Sequence, residues 1–243
     1  SVAKAAARGG VPTLVAQAVQ VGTHLAGIVI LARLLTPDDY GTVAMVYTIT
    51  AFAGLFRDLG LSAAAIQRGT LSPAQMTNLF WLNVGMGLLL AGLLCASAPA
   101  IAWFFKRDEL VPLSMLLSLN FVLASLGTQH NAMLQRSLRY GRRATALIAG
   151  SVATLLVSTT LATLGYGYWA LAWGTLAGSA ASSLLLFALS PFRPGWWQHN
   201  AELRPLLRFG ANVTGFEAVN YFARNFDNLI VGRVLGSEAL GLY

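Results

Sequence analysis

Apolar stretches recur along this chain, each ended by a short polar or charged break, and each is about as long as the 20 residues a helix needs to cross a bilayer. Seven such spans are predicted, at residues 11–32, 41–66, 76–103, 111–135, 144–164, 168–190 and 208–234. Strands of a membrane barrel would show alternating segments of about ten residues, and no such alternation is present. Two span starts carry their own signal. In Thr36-Pro37-Asp38-Asp39 the threonine can cap a helix, the proline loses nothing at the first position, and Asp39 can reach back; Ser72-Pro73-Ala74-Gln75 repeats the device. In span six, Gly174, Gly178 and Ser182 recur every fourth residue and give a flat face for close helix packing.

Weak self-similarity overlies this pattern. ARLLTPDDYG at 32–41 aligns with GRVLGSEALG at 232–241, so Arg33 falls on Arg233, Asp38 on Glu238 and Gly41 on Gly241. Upstream, Arg8 meets Arg208 and Gly10 meets Gly210 at the same offset. Polar positions match as well as apolar ones, which favours duplication over the chance matching of two Ala- and Gly-rich segments. Six spans separate the copies. An even number leaves both pointing the same way through the membrane, so the repeat is parallel rather than inverted. The expected architecture is an all-α, polytopic membrane helix bundle. It would comprise an N-terminal six-helix lobe (1–190), a cytoplasmic linker rich in proline and tryptophan (191–207), and the first helix of a second, parallel-repeat lobe (208–243). The chain is accordingly expected to be a piece of a longer protein.

Composition agrees. Hydrophobic residues make up 56% and charged residues 10%, with a mean hydropathy of +0.63, whereas a soluble protein carries about 25% charged residues. The net charge of +7 would point to nucleic acid in a soluble chain, but here its placement matters more. With a cytoplasmic N-terminus, ten basic residues fall on the inner side: Lys4, Arg8, Arg68, Arg136, Arg139, Arg142, Arg143, Arg193, Arg204 and Arg208. Only Arg33, Lys106, Arg107 and Arg233 fall outside, among five acids, and this bias sets the orientation. Trp103, Phe104, Tyr166, Tyr168 and Trp169 mark the outer interface, and Trp196 and Trp197 the inner one. Membrane lipids are therefore expected partners and nucleic acid is not. The lone Cys95 excludes an internal disulfide.

Polar groups inside spans are costly and tend to face a cavity or a partner. In span one, Gln17, Gln20 and His24 share a face; in span seven, Glu217, Asn220 and Arg224 repeat the stripe, and Asp227 or Asn228 extends it. Two such faces would line one cleft between lobes, or else form interhelical hydrogen bonds. Span two carries Arg57 beside Asp58, read either as a local ion pair that eases insertion or as an anion-holding arginine tuned by its neighbour. Span four places Thr128, Asn131 and Gln135 on one face, with Gln129 and His130 beside them. The three histidines have no metal-ligand spacing, and no phosphate loop, nucleophile elbow or carboxylate pair stands out. Neither a metal nor a cofactor is expected, and the chain is not read as an enzyme. Gly165-Tyr166-Gly167-Tyr168-Trp169 is read as a tight turn with interfacial anchors.

Taken in order, ARLLTPDDYG, FRDLGLSAAAIQR, LGYGYWALAWG and FDNLIVGRVLGSEALGLY carry a resemblance over nearly the whole chain. It resembles the Wzx-type polysaccharide-transporter flippases of the multidrug/oligosaccharidyl-lipid/polysaccharide exporter superfamily. The resemblance implies two six-helix bundles around a central cavity in the bacterial inner membrane. It also implies transport of polyprenyl-pyrophosphate-linked oligosaccharide for O-antigen, capsule or exopolysaccharide, near a polysaccharide polymerase and glycosyltransferases. Stopping after about seven spans departs from that pattern. On this reading Arg57, Arg224 and His24 would meet the pyrophosphate, with Gln17, Gln20, Asn220 and Asn131 as further substrate contacts. Asp58, Glu217 and Asp227 would couple transport to protons or cations. Rival readings are a flippase for the peptidoglycan lipid precursor, a multidrug exporter of the same superfamily and, from another class, a membrane-embedded polymerase or glycosyltransferase. A polymerase would need a large polar outer loop, and the longest one expected here is the few residues around Lys106 to Glu109.

Overall fold

Both predicted capping boxes form. The Thr36 amide donates to Asp39 Oδ2 at 2.9 Å and the Asp39 amide donates to Thr36 Oγ1 at 3.2 Å. Ser72 and Gln75 repeat the exchange at 3.0 and 3.1 Å. Because the capped turn precedes the apolar run, these helices begin at Pro37 and Pro73, a turn earlier than hydropathy places the spans.

The computed structural model describes residues 2–57, 72–198 and 215, with side chains from Leu14 onward except that of Leu55. Among the described residues all regular structure is helical: α1 (Val2–Leu31), α2 (Pro37–Leu55), α3 (Pro73–Phe105), α4 (Leu110–Arg136), α5 (Tyr140–Thr163) and α6 (Tyr168–Leu189). Five stretches are long and apolar enough to cross a membrane, namely Leu14–Leu31 of α1 and the whole of α3, α4, α5 and α6. The chain is a polytopic helical bundle, as the hydropathy pattern predicts. Apart from Gly215, the seventh span, the second copy of the repeat and the later part of the linker lie outside the described residues.

Two ends can be told apart. At one, the turns after α1, α3 and α5 meet. Arg107 donates from both terminal nitrogens to Asp38, at 2.9 and 3.0 Å, and from Nη1 to Thr42 Oγ1 at 2.9 Å, while its Nε pairs with Glu109. The bond to Asp38 raises the Arg107 pKa further above its ordinary value, so the pair is a fixed charge contact. Gly167 has φ +53°, and a Cβ there would lie 2.8 Å from Asp39 Oδ1, so the expected tight turn needs glycine to fit against the α2 cap. Trp103 and Tyr166 are exposed around this end.

The other end carries Arg136, Arg139, Arg142 and Arg143. There residues 191–198, the described part of the expected linker, run extended against the start of α3. Asn78 holds Gln198 by both backbone groups, at 2.6 and 2.9 Å, and the Trp81 indole donates to the Gly195 carbonyl at 2.8 Å. Arg193 donates to the carbonyls of Phe187 and Ser190 and stacks on the Phe187 ring.

Between the ends, Val43, Met45 and Val46 of α2 pack with Leu90, Leu94 and Ile101 of α3 and Leu113, Leu117 and Phe121 of α4. Polar small residues join α5 to α6. A Cβ on Gly178 would fall 2.8 Å from the Gly150 carbonyl oxygen and against Thr154 Oγ1, and one on Gly150 would fall 2.9 Å from the Gly178 carbonyl oxygen. The flat face expected on span six therefore has α5 as its partner. α1 leans on α5, where a Cβ on Gly27 would reach Leu155 at 3.6 Å.

Replacing Gly178 by valine has to push the two backbones apart. It is expected to cost about 1–3 kcal/mol, seen as a lower Tm of the detergent-solubilised protein. Gly92→Val on the exposed side of α3, where nothing lies within 4 Å, is the control and is expected to leave Tm unchanged.

Candidate functional site: a cleft between α1, α2 and the α5–α6 pair

α1 touches the bundle chiefly through α5, so space remains between it and α2, floored by α5 and α6. Toward the Asp38 end this space is a cavity of about 740 Å³, lined mainly by apolar side chains such as Val21, Leu25, Ile28 and Val43. Toward the Arg142 end lies a second cavity of about 400 Å³ with a different lining: Arg57, Thr128, Asn131 and the hydroxyls of Ser179, Ser182 and Ser183. Gln20, Ser151, Thr154 and Thr175 border both, so the two are halves of one cleft.

The floor is polar for a local reason. Thr154 donates its hydroxyl to the Gly150 carbonyl, Ser151 to Leu147, and Thr175 to Leu171, all within their own helices. Each proton is thereby used, while the oxygen lone pairs stay available as acceptors. Arg57 adds donors and positive charge. Among the described residues lining this half Arg57 carries the charge, and a guanidinium beside hydroxyl oxygens is a donor and acceptor set that an anion bearing hydroxyl groups can use. At the junction the hydroxyls of Tyr47 on α2 and Thr175 on α6 meet at 2.5 Å and tie α2 across the floor.

The residues singled out by helical spacing divide as follows. Gln20 of α1, Arg57 of the turn that ends α2 and Asn131 of α4 line the smaller cavity together. His24 is exposed and lines the larger one beside Gln20. Gln17 is exposed on α1, a turn from Gln20, and lines neither. Asp58, Glu217, Asn220, Arg224 and Asp227 lie outside the described residues. Of the span-four face, Thr128 and Asn131 reach the cavity, whereas Gln129 and His130 are wholly buried elsewhere.

Sequence reasoning passed over Arg143. It counted only as one of the inner charges, yet its Nε donates to Asn131 Oδ1 at 2.7 Å and sets a second guanidinium directly behind the cavity wall. Its position one turn into α5, facing the polar stripe of span four, was the available signal. The hydroxyl pair of Tyr47 and Thr175 was missed as well, since nothing in spacing alone brings spans two and six together.

Comparison with known proteins gives this helical membrane bundle a family. The family model described as polysaccharide biosynthesis protein matches residues 30–243. The chain belongs to that family. Its curated relatives include the lipopolysaccharide biosynthesis protein WzxC of Escherichia coli (strain K12), 30% identical over 94% of this chain and 47% of its own length. The teichuronic acid biosynthesis protein TuaB of Bacillus subtilis (strain 168) is 31% identical over 88% of this chain and 45% of its own. The succinoglycan biosynthesis transport protein ExoT of Rhizobium meliloti (strain 1021) is 24% identical over 91% and 45%. The chain thus spans about half the length of the curated relatives it matches. A solved chain named protein A shares the fold with a TM-score of 0.67 at 13% identity, over 98% of this chain and 58% of its own.

If the cleft holds water, cysteines placed at Gln20 and Ser151, in a background with Cys95 replaced by serine, will react with a membrane-impermeant maleimide. The rate should be at least about tenfold above that of a cysteine at the outward-facing Leu88, because the reactive thiolate forms only where water reaches the sulfur. Equal rates at all three positions would mean that the cleft is dry.

Proposed function

We propose that this chain forms the first lobe of an inner-membrane flippase that moves polyprenyl-pyrophosphate-linked oligosaccharide for O-antigen, capsule or exopolysaccharide synthesis. The observation that carries the reading is the convergence of Arg57, Gln20 and Asn131 on one hydroxyl-floored cavity with Arg143 behind it. A pyrophosphate needs charge-assisted donors, and sugar hydroxyls need acceptors. The cavity offers both, with the larger apolar half of the cleft continuous with it. The names of three relatives, in lipopolysaccharide, teichuronic acid and succinoglycan pathways, support a carrier of polysaccharide precursors. Transport rather than catalysis is our reading of this chain, and no cofactor enters it.

The excess of basic residues at the Arg142 end supports a cytoplasmic N-terminus, so that the smaller, cationic half of the cleft faces the side on which lipid-linked precursors are made. A second lobe beginning with residues 208–243 would supply the opposite wall, with Arg224 and Asn220 facing the substrate and Glu217 and Asp227 alongside Asp58 as coupling groups. Rocking of one lobe against the other would expose the cleft alternately.

Arg57→Ala in the full-length protein is expected to lower export by about 10- to 100-fold, since a charge-assisted bond contributes about 1.5–3 kcal/mol. Arg57→Lys should recover part of it. Expression and membrane insertion should be normal in both. The readout is flipping of lipid-linked oligosaccharide in reconstituted vesicles together with surface polysaccharide in cells, and wild-type levels in the alanine variant would refute the reading.

A further inference from the structure

Asn83 on α3 and Gln129 and His130 on α4 line neither half of the cleft, yet among the described residues they bury the most polar atoms without a partner. All three are 1% exposed or less. Both amide atoms of Asn83, both of Gln129 and both ring nitrogens of His130 are buried without a hydrogen-bond partner. Buried polar groups in native proteins are otherwise almost all paired, so six orphaned atoms at one level of a helix pair ask for a ligand.

The register of α3 against α4 shows that they share one place. A Cβ on Gly87 would run into Ser125 and the Phe121 carbonyl, so these positions face each other in close contact. Asn83 lies four residues before Gly87 and Gln129 four residues after Ser125. In an antiparallel pair both steps go toward the same end and stay on the same face, which sets the two carboxamides opposite one another. One step further, the Phe80 and His130 rings meet at 5.8 Å.

The place is sealed. His130 is surrounded by Phe80, by Phe187 at 4.8 Å and by Phe192 at 5.4 Å. Phe192 belongs to the extended segment that Asn78 and Trp81 fasten down. We propose that Asn83, Gln129 and His130 form an occluded hydration site, distinct from the cleft, in which ordered water bridges the two carboxamides and reaches the imidazole.

Water fits the donor set better than the other occupants. Two carboxamides and a neutral imidazole together present both donors and acceptors, which is what a buried water with its two to four bonds requires. A cation would have only two side-chain oxygens and one ring nitrogen to hold it. The nearest charged group stacked on this aromatic wall is the Arg193 guanidinium over Phe187, of the wrong sign for a cation. An apolar guest would leave all six atoms unpaired.

The test is a double-mutant cycle on the full-length protein in nanodiscs, with Asn83→Leu, Gln129→Met and both together, read as Tm. A shared water requires each single change to strand the opposite carboxamide. Each should lower Tm by several degrees, and the double variant should lose clearly less than the two losses combined. Single variants that raise Tm, or losses that simply add, would show that no ligand joins the two groups and would overturn the proposal. A wild-type Tm that climbs with sodium or potassium but not with choline would overturn it in favour of a cation. A cryo-electron microscopy map that resolves other buried waters should show a density peak roughly 2.7–3.2 Å from both carboxamides. Its absence there would count equally against the site.

Discussion

The approach of α5 to α6 through Gly150 and Gly178 is the contact on which the other elements depend. Lipid tails are as apolar as leucine, so these helices gain little from burying apolar surface and associate through close backbone packing and polar contacts instead. With carbonyl oxygens 2.8 and 2.9 Å from where a Cβ would be, the two helices make one thick slab. α1 leans on the α5 side of it. α4 packs on the α6 side, where a Cβ on Gly127 would come within 2.8 Å of Ser183 Oγ. The cleft is what remains above the slab once α2 is held across it by Arg107 at one end and by the hydroxyls of Tyr47 and Thr175 midway.

The same contact explains the chemistry of the floor. Residues small enough to let backbones meet include serine and threonine, and a hydroxyl in a helix can satisfy its proton on the preceding turn. Thr154 packs against Gly178, bonds to the Gly150 carbonyl and still presents oxygen to the cleft. Packing and acceptor chemistry are therefore two uses of the same side chains, which is why a stripe legible only as a packing face turns out to line a site.

Much of this was legible in the sequence, for identifiable reasons. Span positions follow from hydropathy because the bilayer enforces helices of a minimum length. The starts of α2 and α3 follow from Thr36 and Ser72, since capping is local chemistry. Gln20, Arg57 and Asn131 were recognisable because charged and amide side chains are rare inside spans. What the sequence did not contain was pairing. In a membrane the lipid-facing and protein-facing sides of a helix are both apolar, so periodicity identifies a polar face without naming its neighbour. Hence Arg143 read as a topology charge rather than as the partner of Asn131. Gln129 and His130, read only as lying beside the span-four face, are wholly buried on the side toward α3, a placement that spacing along one helix does not specify.

The division of the cleft bears on how such a lobe can move. Its two halves differ in character: one is cationic and rich in oxygen, the other apolar, and they meet where Gln20 and Thr175 border both. The slab of α5 and α6 cannot separate without losing contacts that only glycine permits, and α3 is fixed to α4 by the same kind of approach at Gly87. α1 is the exception, since it rests on α5 without a second close neighbour among the described helices. Its inward face carries Gln20 and His24, so any displacement of α1 changes the width of both halves at once while leaving the floor intact. On the proposed reading, a rigid polar floor with one loosely held wall would admit a bulky headgroup without rebuilding the groups proposed to recognise it. That separation of recognition from movement follows directly from where the glycines are.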